Sequence, residues 1–157
     1  MDTRYSGSTC VSVMTLGRKI YMANVGDSRA IVIQSMPGTD ASNQCTCTAL
    51  TRDHKPEDED ECKRIIENGG RVDPYRDQQG NPLGPSRVWL KDEGVPGLAM
   101  SRSFGDACAH SVGCNALPEI SEYTFTKEDK VVVLASDGVW EFLENIDVAR
   151  IVYPFYL

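Results

Sequence analysis

The sequence predicts an α+β fold built on antiparallel sheets, and three observations carry that prediction. Short apolar stretches separated by turn residues follow one another from Ser8 to Leu50. A single segment, Pro56 to Asn68, then changes to a helical pattern. Two more apolar stretches follow, Glu119 to Phe125 and Lys130 to Ser136. Strands joined by connections too short for crossover helices pair antiparallel, and interspersed helices make the class α+β.

"STCVSVMTL" (Ser8 to Leu16) alternates in part, and Gly17-Arg18 turns the chain into "KIYMANVG" (Lys19 to Gly26), its hairpin partner. "RAIVIQS" (Arg29 to Ser35) follows Gly26-Asp27-Ser28 as a third strand. Met36 to Gln44, rich in Pro, Gly, Ser, Asp and Asn, reads as a surface loop, and "CTAL" (Cys47 to Leu50) as a short strand. Pro56 opens a helix with acids in its first turns, Lys63 and Arg64 later, Ile65 and Ile66 as apolar anchors and Gly69-Gly70 as the stop. The run Glu57 to Glu61 is therefore read as a solvated helix start. Asp73 to Pro96 reads as a long polar loop interrupted by a strand at "RVWL" (Arg87 to Leu90), and a loop of that length is usually functional or mobile. "TKED" joins the last two apolar stretches as a hairpin, with Val132 and Leu134 in the core. Asn145 is the expected cap of a helix over Ile146 to Val152, which Pro154 ends.

The chain has 157 residues, 41% hydrophobic and 25% charged, the proportions of a soluble globular protein. That length is a prior for one domain, burying roughly 68–70% of its unfolded surface. No apolar run approaches the ~18 residues that span a bilayer, and no signal-peptide pattern follows Met1. The expectation is an intracellular protein, cytoplasmic or nuclear, without a membrane partner. The 6 cysteines include no CxxC pair and read as reduced thiols. A net charge of −7 argues against a nucleic-acid partner, and against phosphate ligands unless bound cations reverse the local field.

Two strand ends deliver an aspartate next to glycine: "NVGDSR" at Asp27 and "LASDGVW" at Asp137. A strand as apolar as "VVVLA" is read as buried on both faces, which would place Asp137 where an unpaired charge is expensive. Glycine beside each aspartate lets a backbone or ligand approach closely. Each corner alone is an ordinary turn; together they suggest oxygen ligands for a hard cation such as Mg²⁺ or Mn²⁺. Ser28 as an esterase nucleophile fails, because it lies between two strands and lacks a matching His and acid. Asp58 and Asp60 have the spacing of a dehalogenase-type phosphatase, but lie within the acidic helix start. His54 and His110 read as structural or exposed.

"SGSTCV", "ANVGDSRA", "LTRDHKPEDEDECKRIIENGGRV", "RVWLKDEGVPGLAMSRSFGD" and "VVLASDGVWEFLEN" occur in an order that resembles the metal-dependent serine/threonine protein phosphatases of type 2C. The resemblance runs from about Ser6 to Asn145 and implies two packed antiparallel β-sheets flanked by helices, an αββα sandwich. It further implies a cleft where carboxylates hold two or three Mg²⁺ or Mn²⁺ ions, with phosphorylated proteins as substrates. By the same resemblance, Asp137 is the metal-bridging and catalytic aspartate, Asp27 the ligand of a more weakly held third metal, and Asp73 to Pro96 lies near the flap that shapes substrate access. Glu141 stands where many members have Asp, four residues after Asp137, and is a third candidate ligand.

The family's upstream "DGHG" block, an earlier metal-site Glu, the phosphate-gripping Arg and the downstream "DN" block are not in this sequence. Residues 1–157 are thus expected to be the middle portion of a catalytic domain, weak or inactive alone. Uncovered sheet edges and the tail "VYPFYL" (Val152 to Leu157) predict self-association. The alternative function is a non-catalytic, phosphatase-like binding module.

Overall fold

The computed structural model describes residues 2–36 and 45–156, so most of the expected loop from Met36 to Gln44 lies outside the described residues. In chain order the elements are β1 (Gly7–Ser8), β2 (Cys10–Leu16), β3 (Lys19–Val25), β4 (Arg29–Ser35), β5 (Cys45–Ala49), α1 (Glu59–Glu67), β6 (Gly70–Arg76), β7 (Pro82–Leu90) and β8 (Pro96–Leu98). They continue with β9 (Phe104–Gly105), α2 (Ala107–His110), β10 (Glu119–Thr124), β11 (Asp129–Ala135), α3 (Asp137–Trp140), α4 (Asn145–Val152) and a 3-10 turn at Tyr153–Phe155. All strand pairs between named strands that have a described register are antiparallel. The fold is α+β. No helix among the described residues is long and apolar enough to cross a membrane.

The residues divide into two compact units. The first comprises the chain up to Cys10, Val25–Asp27 and His54–Leu117. Its three-stranded sheet runs β6-β7-β8, and α1 packs on it through Ile65 against Val88, Ala109, Val112 and Cys114. Most of the expected loop from Asp73 to Pro96 is in fact this sheet. The pattern was hidden by Pro74, by a bulge between Pro74 and Tyr75, and by a turn that Asp77 organises: its carboxylate accepts from the backbone N–H of Gln79 and Asn81. Tyr75 meets Trp89 edge to face, with ring centroids 4.9 Å apart.

The second unit comprises Val11–Asn24, Ser28–Asp53 and Pro118 onward. It contains two three-stranded sheets, β10-β3-β2 and β11-β4-β5. Ile20 and Met22 of β3 pack against Ala30 and Val32 of β4, which makes the core between the sheets. The opposite face of β4 presents Ile31 and Ile33 to Trp140, Val148, Ala149 and Tyr153, so helices cover that side. Both sheets of the expected sandwich are therefore present and packed.

Three expectations about the strands and closing helix of this unit are corrected. β10 and β11 are not a hairpin: β10 pairs with β3, β11 pairs with β4, and "TKED" is an arch from one sheet to the other. The Asp129 carboxylate holds that arch, accepting from Tyr123 Oη and the Thr126 backbone N–H. Nor is β11 buried on both faces. It is an edge strand, with Val132 partly buried and Leu134 41% exposed, so Leu134 is not core. An apolar run reports the mean burial a strand can have, not whether it has neighbours on both sides. At the closing helix, Glu144 is the N-cap and shares a capping box with Asp147, while Asn145 is the first helical residue.

Candidate metal centre

The Asp27 corner belongs to the first unit. Gly26 has φ +100°, and a Cβ there would lie 2.3 Å from Thr9 Cγ2 and 3.2 Å from the Arg102 carbonyl oxygen, so only glycine fits. The close approach expected at this glycine is made by the protein's own Thr9. The Gly26 N–H donates to His54 Nδ1 at 3.1 Å, and the His54 N–H returns to the Gly26 carbonyl at 3.0 Å. His54 is thus a structural residue, fully buried. These bonds set the two chain segments side by side and bring the next residue, Lys55, to Asp27: Lys55 Nζ lies 2.6 Å from Asp27 Oδ2. The Asp27 side chain is 6% exposed, so this ammonium is its charge partner.

The Asp137 corner belongs to the second unit. Ser136 caps α3, and Asp137, Gly138 and Glu141 are all exposed. The Glu141 N–H donates to the Asp137 carbonyl at 2.8 Å, so the two residues are one turn apart and their side chains leave the same face. The turn is anchored by Trp140, which is buried and donates from Nε1 to the Ala135 carbonyl at 2.7 Å. Arg29 stacks over the Trp140 ring at 5.2 Å while forking onto both Asp53 carboxylate oxygens at 2.8 Å and donating to Asn145 Oδ1 at 2.6 Å. The backbone of Asp137 is thereby fixed while its carboxylate stays in water. The expectation that it would be buried falls with the edge position of β11. A Cβ on Gly138 would meet only Ser136 Oγ, at an ordinary 3.5 Å, so this glycine is not required by contacts among the described residues.

A third acid lies elsewhere in the first unit, against the expected solvated helix start. Glu61 is fully buried. Arg64 reaches it at 2.7 and 3.0 Å, Arg102 at 2.5 and 3.0 Å, and the Ser101 hydroxyl donates to Oε2. Burial alone would raise the Glu61 pKa, but these hydrogen bonds outweigh it and hold the carboxyl well below its ordinary range. The spacing of Glu61 and Ile65 four residues apart was the available signal, since they share a face. His110 is half-buried, with Nε2 2.9 Å from the Ser103 carbonyl oxygen.

The donor chemistry suits a hard cation. Asp27, Asp137 and Glu141 offer carboxylate oxygens, and the Lys55 ammonium already stands as a cation against one of them. The described cysteines are free thiols, and burial pushes that of Cys114 up to about 12, which disfavours a thiolate site there. Among the described residues no group of three or more His, Cys, Asp and Glu side chains is placed to hold a metal ion by itself. The residues present fit such an ion as partial ligands. Sequence reasoning missed Lys55, Arg29 and Trp140, which sit inside the quoted blocks but show their roles only through contacts distant in sequence.

The protein phosphatase 2C family model matches residues 1–155. The chain belongs to the protein phosphatase 2C family. "Probable protein phosphatase 2C 64" of Oryza sativa subsp. japonica is 43% identical over 152 residues, covering 97% of this chain and 34% of that protein. "Probable protein phosphatase 2C 52" of Arabidopsis thaliana is 41% identical over 152 residues, covering 97% of this chain and 31% of that protein. Among solved structures, the serine-threonine phosphatase 2C from Toxoplasma gondii superposes with a TM-score of 0.74 at 27% identity, over 90% of this chain and 44% of that one. This protein phosphatase 2C chain thus spans about a third of the length of the curated relatives it matches.

Proposed function

We propose that this chain supplies the central part of a metal-dependent protein serine/threonine phosphatase, which hydrolyses phosphoserine and phosphothreonine in phosphorylated proteins. The observation that carries the reading is the exposed pair Asp137 and Glu141, fixed on one helical turn by Trp140, in a chain of this family. Asp137 would hold two Mg²⁺ or Mn²⁺ ions together, with Asp27 and Glu141 as candidate ligands of a third. When bound, such ions supply a nucleophilic water at neutral pH and positive charge opposite the phosphoryl oxygens.

The chain's own residues prepare that chemistry. Arg29 and Trp140 hold the Asp137 backbone still, and Asp137 and Glu141 present like charges one turn apart that a cation would relieve. With a net charge of −7, this surface repels a phosphate dianion until cations are present.

A second reading, a phosphatase-like binding module without catalysis, draws on the lack of a three-residue metal group among the described residues. The test compares this chain with a longer protein that contains it, using Mn²⁺ and a phosphothreonine peptide. The expected result is phosphate release by the longer protein and far slower release by residues 1–157 alone. Peptide binding without turnover by the longer protein would replace the enzyme reading with the binding module.

A further inference from the structure

Two of the three buried acids of the first unit, Glu61 and Asp27, are neutralised in different ways. Glu61 is sealed by two arginines whose guanidinium groups fork onto it, and the side chains of Arg64 and Arg102 are 26% and 11% exposed. That arrangement is permanent, because planar multidentate pairing must break several bonds at once. Asp27 instead has one lysine. The Lys55 side chain is 35% exposed and makes a single contact of 2.6 Å with Oδ2. An ammonium on a four-carbon stem, with a third of its surface already in water, swings out without moving the backbone. The backbone beside it is held independently of the ion pair by the paired Gly26 and His54 hydrogen bonds.

We propose that Lys55 is a resident, exchangeable counter-ion of Asp27, so that a divalent cation reaches this carboxylate only by displacing the lysine. The proposal rests on Asp27 being a cation ligand, as argued above, and adds the residue that sets its affinity. The ammonium docked on Oδ2 repels a divalent ion brought to the same small, buried carboxylate, so each weakens the binding of the other. A +1 competitor built into the chain makes the Asp27 site intrinsically weak and selects ions of higher charge. It also supplies Asp27 with a partner when no ion is bound, so the fold does not depend on the metal at this corner.

The variants that test this are Lys55→Met, Lys55→Arg and Asp27→Asn, with Mn²⁺ alone as the probe. In amide NMR spectra of residues 1–157, paramagnetic broadening of the residue 27 N–H reports Mn²⁺ at this corner, independently of any turnover. Lys55→Met removes the competitor and is expected to lower the half-broadening concentration about tenfold, in keeping with the coupling of close charge pairs. Lys55→Arg substitutes a tighter, forked competitor and is expected to raise it. Because Lys55→Arg keeps the charge, it keeps the test readable if the methionine variant does not fold. Asp27→Asn is expected to abolish the broadening.

If both lysine variants match the native chain while Asp27→Asn abolishes the broadening, the exchange proposal is overturned and Asp27 remains a ligand. If Asp27→Asn also leaves the broadening unchanged, both the proposal and the reading of Asp27 as a ligand fall.

Discussion

The corners at Asp27 and Asp137 have almost the same local sequence, an apolar strand end with aspartate against glycine, and opposite environments. Asp27 is buried, held at 2.6 Å by Lys55, and its glycine is forced by contact with Thr9. Asp137 is exposed, its glycine meets little, and what is fixed is the backbone beneath it, through Trp140. The strands attached to them repeat the contrast. β4 and β11 pair with each other and are both aliphatic, yet β4 is central and buried on both faces while β11 lies on the edge. A carboxylate open to water is free to collect cations directly, whereas a buried one keeps a resident partner, here Lys55, when no ion is bound.

The largest expected effect is on turnover, and it could break the comparison outright. In a longer protein containing this chain, Asp137→Asn should lower Mn²⁺-dependent hydrolysis by roughly 10²–10³-fold, the scale seen when a preorganised electrostatic group is lost. Asp27→Asn should cost less, because its native partner is already a lysine. Steady-state phosphate release from a phosphopeptide measures both, and equal losses would mean that the two corners do the same work.

Stability sharpens the same contrast. Glu61→Gln leaves two arginines buried against a neutral amide, and should cost about 3–5 kcal/mol in urea unfolding. It should also change the acid limb. The native carboxyl titrates below the ordinary 4.5, so the unfolded chain binds more protons in acid. Its stabilisation is complete above about pH 4.5 and is lost as pH falls toward the lower folded value. The glutamine variant should therefore show a flatter decline in stability below pH 4.5 than the native chain.

The smallest effects test the strands and the exposed corner. Ile31→Ala, in the buried centre of β4, should cost about 2–5 kcal/mol, whereas Leu134→Ala on the edge should cost under ~1 kcal/mol. Asp137→Asn should change stability by no more than about 0.5 kcal/mol, since an exposed side chain has little to lose on folding. Denaturant midpoints for the three variants check the order. A costly Leu134→Ala would mean that β11 is covered in solution.

The sequence by itself determined the strands β2, β3, β4, β10 and β11, because alternation and turn residues are local. It placed the β2–β3 hairpin at Gly17-Arg18, β4, the helix before Gly69-Gly70 and the closing helix before Pro154. It also brought out Asp27 and Asp137, since aspartate beside glycine at a strand end is visible in a short window, and the ordered blocks around them identified the family. The tertiary structure alone decided which strands pair. Whether "TKED" closes a hairpin or arches between sheets depends on β3 and β4 offering partners to β10 and β11, more than ninety residues earlier. It decided that Gly70–Arg76 and Pro82–Leu90 form a sheet, because Trp89 and Tyr75 meet only across the ladder. It decided, finally, that Glu61 is buried and Asp137 exposed. Charge and hydropathy fix what burial would cost a residue, but the partners that offset that cost, Arg102 for Glu61 and Lys55 for Asp27, come from distant parts of the chain and are set only by folding.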